Sequence, residues 1–313
     1  MGKPNAKQRK IRPLWHPLEW PAWFGLALIW LFSRLPYRVN FWLSSGLGRL
    51  LAVALRLSRR ARVANININL CFPALSPAER TRLVQRNLQN TGHLIGEFCF
   101  AWAASARSCS RIAVTFQGAE HLQAALARGK GVILVGAHFS HLELCGRLLT
   151  ERLKLAPIAG MYREHRSAAF EFMVRRWRLR YAHAMFRRDE LRGCIRWLKS
   201  GNILWYAPDQ DYRRGESVFV PFFGEPAASL SATHQLARLS GAAVVGFAHQ
   251  RLSDGSFNIT LEPMLRDFPS ADVIADTARV NTMLEAIIRR APAQYLWLHK
   301  RFKSRLPGAK PIY

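Results

Sequence analysis

Along the chain the apolar positions are first continuous, then helically spaced, then gathered into short runs. The stretch WPAWFGLALIWLFS, fourteen residues from 20 to 33, carries no charge and predicts a helix shorter than the roughly 20 residues that span hydrocarbon. FWLSSGLGRLLAVALRL (41–57) is apolar but broken by Arg49, the pattern of a second, amphipathic helix. RRARVANININLCFP follows, and Pro73 ends it. Ser76, Pro77 and Glu79 then open a long helix with a capping box and proline at its first position. Leu83, Val84, Leu88, His93, Leu94 and Phe98 fall on one face of that helix.

From about Arg111 the period changes. IAVTF, GVILVGA, LAPIAGMY, NILWYA, AAVVGFAHQ and SFNITLEP read as strands. Between and after them, 121–128, 140–153, 168–183, 189–199, 230–239 and 275–290 read as helices. Such alternation predicts an α/β fold with a central mixed, largely parallel sheet flanked by helices. No repeat or low-complexity linker interrupts it. The simplest division is residues 1–60 as basic, apolar, membrane-associating helices and 61–313 as the α/β domain.

Charge changes the picture. The 313 residues include 46 Lys and Arg against 20 Asp and Glu, a net +26, so the surface must meet something anionic. Half of the residues are hydrophobic, which excludes a disordered chain. The basic run Lys3, Lys7, Arg9, Lys10 and Arg12 precedes the first apolar segment, and Arg34, Arg38 and Arg49 follow it. With both flanks basic, a helix lying in the cytoplasmic leaflet fits better than a full crossing. A signal peptide would need a small-residue cleavage site, which RLPYRVN does not offer; a buried core helix is the other reading. Cys71, Cys99, Cys109, Cys145 and Cys194 are odd in number and lack metal or redox spacing, as expected of reduced, buried thiols. No P-loop, dinucleotide fingerprint or metal-ligand cluster stands out.

The candidate chemistry lies in GVILVGAHFSHLELCGRLL (131–149). Its apolar run predicts a strand covered on both faces, and sites in such sheets lie beyond the carboxyl ends of strands. His138 falls there. A neutral imidazole can deprotonate an attacking hydroxyl when a carboxylate fixes its tautomer, and Glu143 could serve. Five positions are about 500° on a regular helix, so the pairing requires His138 to sit in the turn. Two other readings stay open: Ser140 and Glu143 form a capping box, or His141 is the reactive imidazole.

His138 to Glu143 matches H-x-x-x-x-[DE], and the chain around it resembles the late acyltransferases of bacterial lipid A biosynthesis, most closely their lauroyl-transferring members. The resemblance rests on LCFPALS, GVILVGAHFSHLEL, GMYREH, LWYAPDQDY, SVFVPFFGEPAA and APAQYLWLHKRFKSRLPG, in order over nearly the whole chain. It implies a glycerolipid acyltransferase-like fold. The implied reaction moves a fatty acyl group, lauroyl by the members it resembles most, from acyl carrier protein to a hydroxyacyl hydroxyl of the lipid A precursor Kdo2-lipid IVA. It further implies that no cofactor is consumed, with acyl carrier protein as donor, and a place at the inner membrane with the catalytic domain facing the cytoplasm. His138 would be the base and Glu143 its orienter. Arg163 matches an arginine of the family's second block and would grip a phosphate or carboxylate. Asp209 and Asp211 would bind substrate hydroxyls or orient Arg163. REHRSAAF departs from the family's pattern around Arg166, and Arg213 and Arg214 stand where relatives have glycine. The helix carrying Arg175, Arg176, Arg178, Arg180, Arg187 and Arg188 would dock the carrier protein or lie on phospholipid; Trp297, His299, Lys300, Arg301 and Lys303 offer similar uses. Alternatives are a relative using myristoyl or another chain, one acylating another glycolipid, and a basic membrane- or nucleic-acid-binding protein without catalysis. Nucleic acid is not expected as a partner, since no binding motif for it is present.

Overall fold

The computed structural model describes residues 13–211 and 217–313. The basic residues Lys3, Lys7, Arg9, Lys10 and Arg12, and the pair Arg213 and Arg214, lie outside the described residues. Four helices come first: α1 (Trp20–Phe32), α2 (Tyr37–Leu55), α3 (Arg59–Cys71) and α4 (Pro77–Ala103). The capping box is present at α4: the Ser76 amide donates to Glu79 at 2.8 Å and the Glu79 amide to Ser76 Oγ at 3.3 Å. No helix of the described residues is long and apolar enough to cross a membrane.

Helix α2 packs along α4 through small residues. A Cβ on Gly92 would stand on the backbone nitrogen and Cα of Gly48, and one on Gly48 would meet the Gln89 carbonyl. Only glycine permits this approach of two backbones, because the atoms in the way cannot swing aside. Gly92→Ala is therefore expected to lower stability by at least about 1–3 kcal/mol, the usual cost of overpacking. Thermal unfolding in detergent measures it; an unchanged midpoint would mean that α2 sits farther from α4.

The chain then runs through α5 (Ala106–Cys109), β1 (Val114–Gln117), α6 (Ala119–Leu126), β2 (Val132–Val135), α7 (Leu142–Leu153) and β3 (Ile158–Tyr162). Next come α8 (Ala168–Arg178), β4 (Ala184–Arg187), α9 (Leu191–Lys199), β5 (Ile203–Tyr206), β6 (Ser217–Phe222) and β7 (Glu225–Leu230). The last elements are α10 (Ala232–Ser240), β8 (Ala243–Arg251), β9 (Phe257–Leu261) and α11 (Val273–Arg290). Seven strands form one sheet in the order β1-β9-β8-β2-β5-β3-β4. Only β8 and β9 pair antiparallel in it; the other neighbours are parallel, giving the mixed, mostly parallel α/β sheet expected.

All four residues of β2 are buried. Ile133 and Val135 join a core with Leu236, Leu284 and Ile288, while Val132 and Leu134 join one with Phe100, Leu144 and Leu148. Helices on both faces explain why β2 reads as a continuous apolar run.

Two expectations fail locally. Helix α8 stops at Arg178 rather than 183, because residues 184–187 form the edge strand β4 against β3; pairing with an existing strand overrides helical spacing. The β6–β7 hairpin was not expected. Its prolines, Pro221 and Pro226, face each other in a separate two-stranded ribbon where prolines are tolerated. Phe223 and Gly224, both with positive φ, make its turn.

Candidate active site

Strands β2 and β5 are parallel neighbours with Val135 opposite Tyr206. His138 lies three residues beyond Val135 and Asp209 three beyond Tyr206, so equal offsets from a shared register deliver the two side chains to one place. Asp209 Oδ1 is 2.6 Å from His138 Nδ1, and its Oδ2 accepts from the His138 amide at 3.0 Å. The carboxylate thus grips the residue twice and fixes both ring and backbone. It is itself fully buried, whereas about a third of the His138 side chain is exposed.

The loop behind the ring is pinned from the C-terminal segment. The Leu296 amide donates to the His138 carbonyl at 2.9 Å and the Ser140 amide to the Gln294 carbonyl at 3.0 Å. Tyr295 is bridged to Phe139, and its hydroxyl hydrogen-bonds Asp209. Asn87 of α4 donates to the carbonyls of Ala293 and Tyr295 at 3.0 and 2.6 Å, tying that segment down in turn.

The electrostatics follow. Burial raises the Asp209 pKa, but the nearby His138 and the hydrogen bonds from its ring, its amide and Tyr295 outweigh this and lower it to about 2. Burial lowers the His138 pKa, yet the charge and hydrogen bond of Asp209, with the charge of Glu143, outweigh burial and raise it above the ordinary value. With Nδ1–H donated to Asp209, Nε2 is left to take a proton.

Glu143 does not orient the ring; Asp209 does. Glu143 lies in the first turn of α7 and turns toward α8 instead. Arg178 grips it through two nitrogens, Nε at 3.1 Å and Nη2, and Trp102 Nε1 donates to it at 3.0 Å. His138 does sit in the turn before α7, but Glu143, on the first turn of that helix, is drawn to Arg178 and Trp102 of neighbouring helices. The capping-box reading fails too: His141 is the N-cap, without a side-chain cap bond. Nor is His141 an accessible base, since it is fully buried and burial holds its pKa well below the ordinary value.

The other expected residues disperse. Asp211 accepts from the Ser304 amide at 2.5 Å and its hydroxyl at 2.9 Å, fastening the C-terminal segment rather than facing His138. Arg163 is exposed just after β3, and Asp209 and Asp211 are engaged elsewhere. Glu164 pairs with Arg187 at 3.9 Å. Arg178 faces inward to Glu143 rather than outward from the basic helix. Trp297 and Arg301 are buried; Arg301 donates to the Ala228 carbonyl at 2.6 Å and Ser229 Oγ at 2.7 Å. Sequence reading missed Tyr295 and Trp102 as site residues. Tyr295 stood within the APAQYLWLHKRFKSRLPG block, but nothing local said that it reaches Asp209.

Beside Glu143 and Arg178 a cleft opens between α7 and strands β3 to β5, walled by Leu142, Ile158, Met161, Met185 and Trp205. Gly146 also lines it, with nothing within 4 Å of where a Cβ would stand. The arrangement is an imidazole held by a carboxylate at a partly open position, with an apolar cleft lined in part by the Glu143–Arg178 ion pair.

The description "Bacterial lipid A biosynthesis acyltransferase" belongs to the family model that matches residues 7–304. The chain is 38% identical to the lipid A biosynthesis lauroyltransferase of Escherichia coli K12, over 96% of this chain and 97% of the relative. It is 37% identical to that organism's palmitoleoyltransferase, over the same shares. It is 27% identical to its myristoyltransferase, over 94% of this chain and 90% of the relative. Coverage of nearly the whole chain, with the histidine–aspartate dyad at the carboxyl edge of the sheet, places this protein in the family of bacterial lipid A biosynthesis acyltransferases.

Proposed function

We propose that this acyltransferase moves a lauroyl group from acyl carrier protein to a hydroxyacyl hydroxyl of Kdo2-lipid IVA, with His138 as the base. The observation that supports this most is the Asp209–His138 contact, which leaves Nε2 as the proton acceptor at a partly exposed position. His138 Nε2 takes the hydroxyl proton as that oxygen attacks the thioester carbonyl. The tetrahedral intermediate collapses by breaking the C–S bond, and the departing sulfur receives the proton from the imidazolium. Asp209 stays ionised throughout and stabilises the imidazolium. Every step uses side chains of this chain and needs no cofactor.

The acyl chain lies in the apolar cleft that the Glu143–Arg178 ion pair helps to line. Arg163, exposed next to Tyr162 of the cleft lining, takes an acidic group of the acceptor. The excess positive charge favours both the acidic carrier protein and the anionic leaflet. Helices α1 and α2 expose Trp20, Phe24, Leu28, Leu31, Trp42 and Leu43. These lie in the inner leaflet, with the catalytic domain on the cytoplasmic side.

The test is acyl transfer by membranes containing the protein, read by mass spectrometry. Lauroyl-, myristoyl- and palmitoleoyl-carrier proteins compete for Kdo2-lipid IVA. A gain of one lauroyl group in preference to the others is expected. Preference for another chain overturns the lauroyl assignment, and transfer from none overturns the donor or acceptor.

A further inference from the structure

A second cluster of chemistry-bearing side chains lies behind the His138 loop, facing away from the cleft. His141 and Cys145 are one helical turn apart at the start of α7, where the Cys145 amide donates to the His141 carbonyl at 2.9 Å; side chains at that spacing share a face. Strand β8 brings His249 against that face, with the His141 and His249 rings 4.8 Å apart, centroid to centroid. One donor atom from each of His141, Cys145 and His249 lies within 4.8 Å of the other two, and all three residues are buried.

His141 has partners at 3.3 Å in Ser140 Oγ and the His249 carbonyl, one of which a metal would replace. The rest of the cluster is poorly satisfied as plain packing. Neither ring nitrogen of His249 has a hydrogen-bond partner, although the residue is only 4% exposed. A neutral imidazole has one N–H and one lone pair, so both are stranded. Glu97 of α4 leaves Oε2 without a partner as well, while Oε1 is held by Arg251, and its charge reaches Cys145. Several unsatisfied buried polar atoms in one place call for an unseen water or ion.

We propose that His141, Cys145 and His249 bind one zinc ion that fastens the loop carrying His138 to strand β8. Two imidazoles and a thiolate form a donor set suited to zinc. A thiolate would offset one of the ion's two positive charges inside the core, and Glu97, shared with Arg251, would lie nearby. Donors at about 2.0–2.3 Å from one zinc stand roughly 3.5 Å apart. The trio must therefore close by about 1 Å, within reach of side-chain rotation. No residue of the proposed base or cleft is a ligand, so the ion's role is to hold the loop, not to react.

The test is metal content. Wild type, purified without chelator from cells grown with zinc, is expected to retain near-stoichiometric zinc by plasma mass spectrometry. Cys145→Ser and His249→Ala are expected to lose it. Since a cavity at His249 can itself unfold the chain, a second reading uses wild type alone. Protein made in cobalt medium should show thiolate-to-cobalt charge-transfer absorption and tetrahedral d–d bands. Zinc-free wild type without a cobalt spectrum overturns the site and leaves a buried water as the occupant. Zinc retained in full by both variants also overturns it, because the ion is then bound elsewhere.

Discussion

His138→Ala will lower kcat/KM for acyl transfer by about 10²–10⁴-fold, the usual contribution of a positioned general base. Thermal unfolding should show a loss of stability as well, because the fully buried Asp209 carboxylate loses its ring partner. Activity is therefore read well below the variant's melting temperature. Asp209→Asn separates orientation from basicity. The amide keeps the size of the carboxylate but removes the charge that stabilises the imidazolium. A loss of kcat within the same range is expected, together with a shift of the pH profile.

The direction of that shift follows from the cited causes. The base works deprotonated, so activity rises with pH through the pKa of His138, which the wild-type site holds above its ordinary value. Without the Asp209 charge, burial dominates and lowers that pKa. The ascending limb of kcat/KM should therefore move to lower pH while the plateau falls. Glu143→Gln removes a charge that acts on His138 without hydrogen-bonding it, and should move the limb by less. If Glu143→Gln moves the limb more than Asp209→Asn does, Glu143 rather than Asp209 controls the imidazole.

Arg251→Met will cost about 3–5 kcal/mol of stability, the penalty for leaving a buried charge without its partner. Arg251 is 5% exposed and Glu97 3%, and the guanidinium also reaches Asn90 and, at 3.4 Å, Ser140 Oγ. Strand β8 is thereby tied to α4 and to the His138 loop. A fall in melting temperature on the order of 10 °C is expected for a chain of this size. The double variant Glu97→Leu with Arg251→Met should recover much of the loss, since replacing both partners by apolar groups is often neutral. No recovery would show that Arg251 acts through Asn90 and Ser140 rather than through Glu97.

Much of the architecture was legible because its signals are local. Glu79 three residues after Ser76 specified the start of α4. The uninterrupted apolar run of β2 announced burial on both faces. Glycine after that strand and a histidine beyond it marked the edge where sites form. The β6–β7 ribbon was not legible, because its prolines contradict the usual strand pattern and are acceptable only because both strands of a two-stranded ribbon are edges. Strand β4 was hidden for a different reason. Its four residues, AMFR, carry no strand signal of their own and take that form from pairing with β3.

His138 could be found from its chain neighbours, whereas its partner could not. Glu143 was nearest in sequence, yet five residues of turn and helix rotate it toward Arg178. Asp209, 71 residues away, arrives because β5 lies beside β2 in parallel register, a fact set by the whole sheet. The same holds for Tyr295 on Asp209 and for His249 beside His141 and Cys145. Local propensity and periodicity determined where most helices and the central strands form and which histidine stands at a strand end. Which carboxylate holds that histidine, and which basic side chains turn inward, was decided only by tertiary packing, because contacts between distant segments depend on strand order and register.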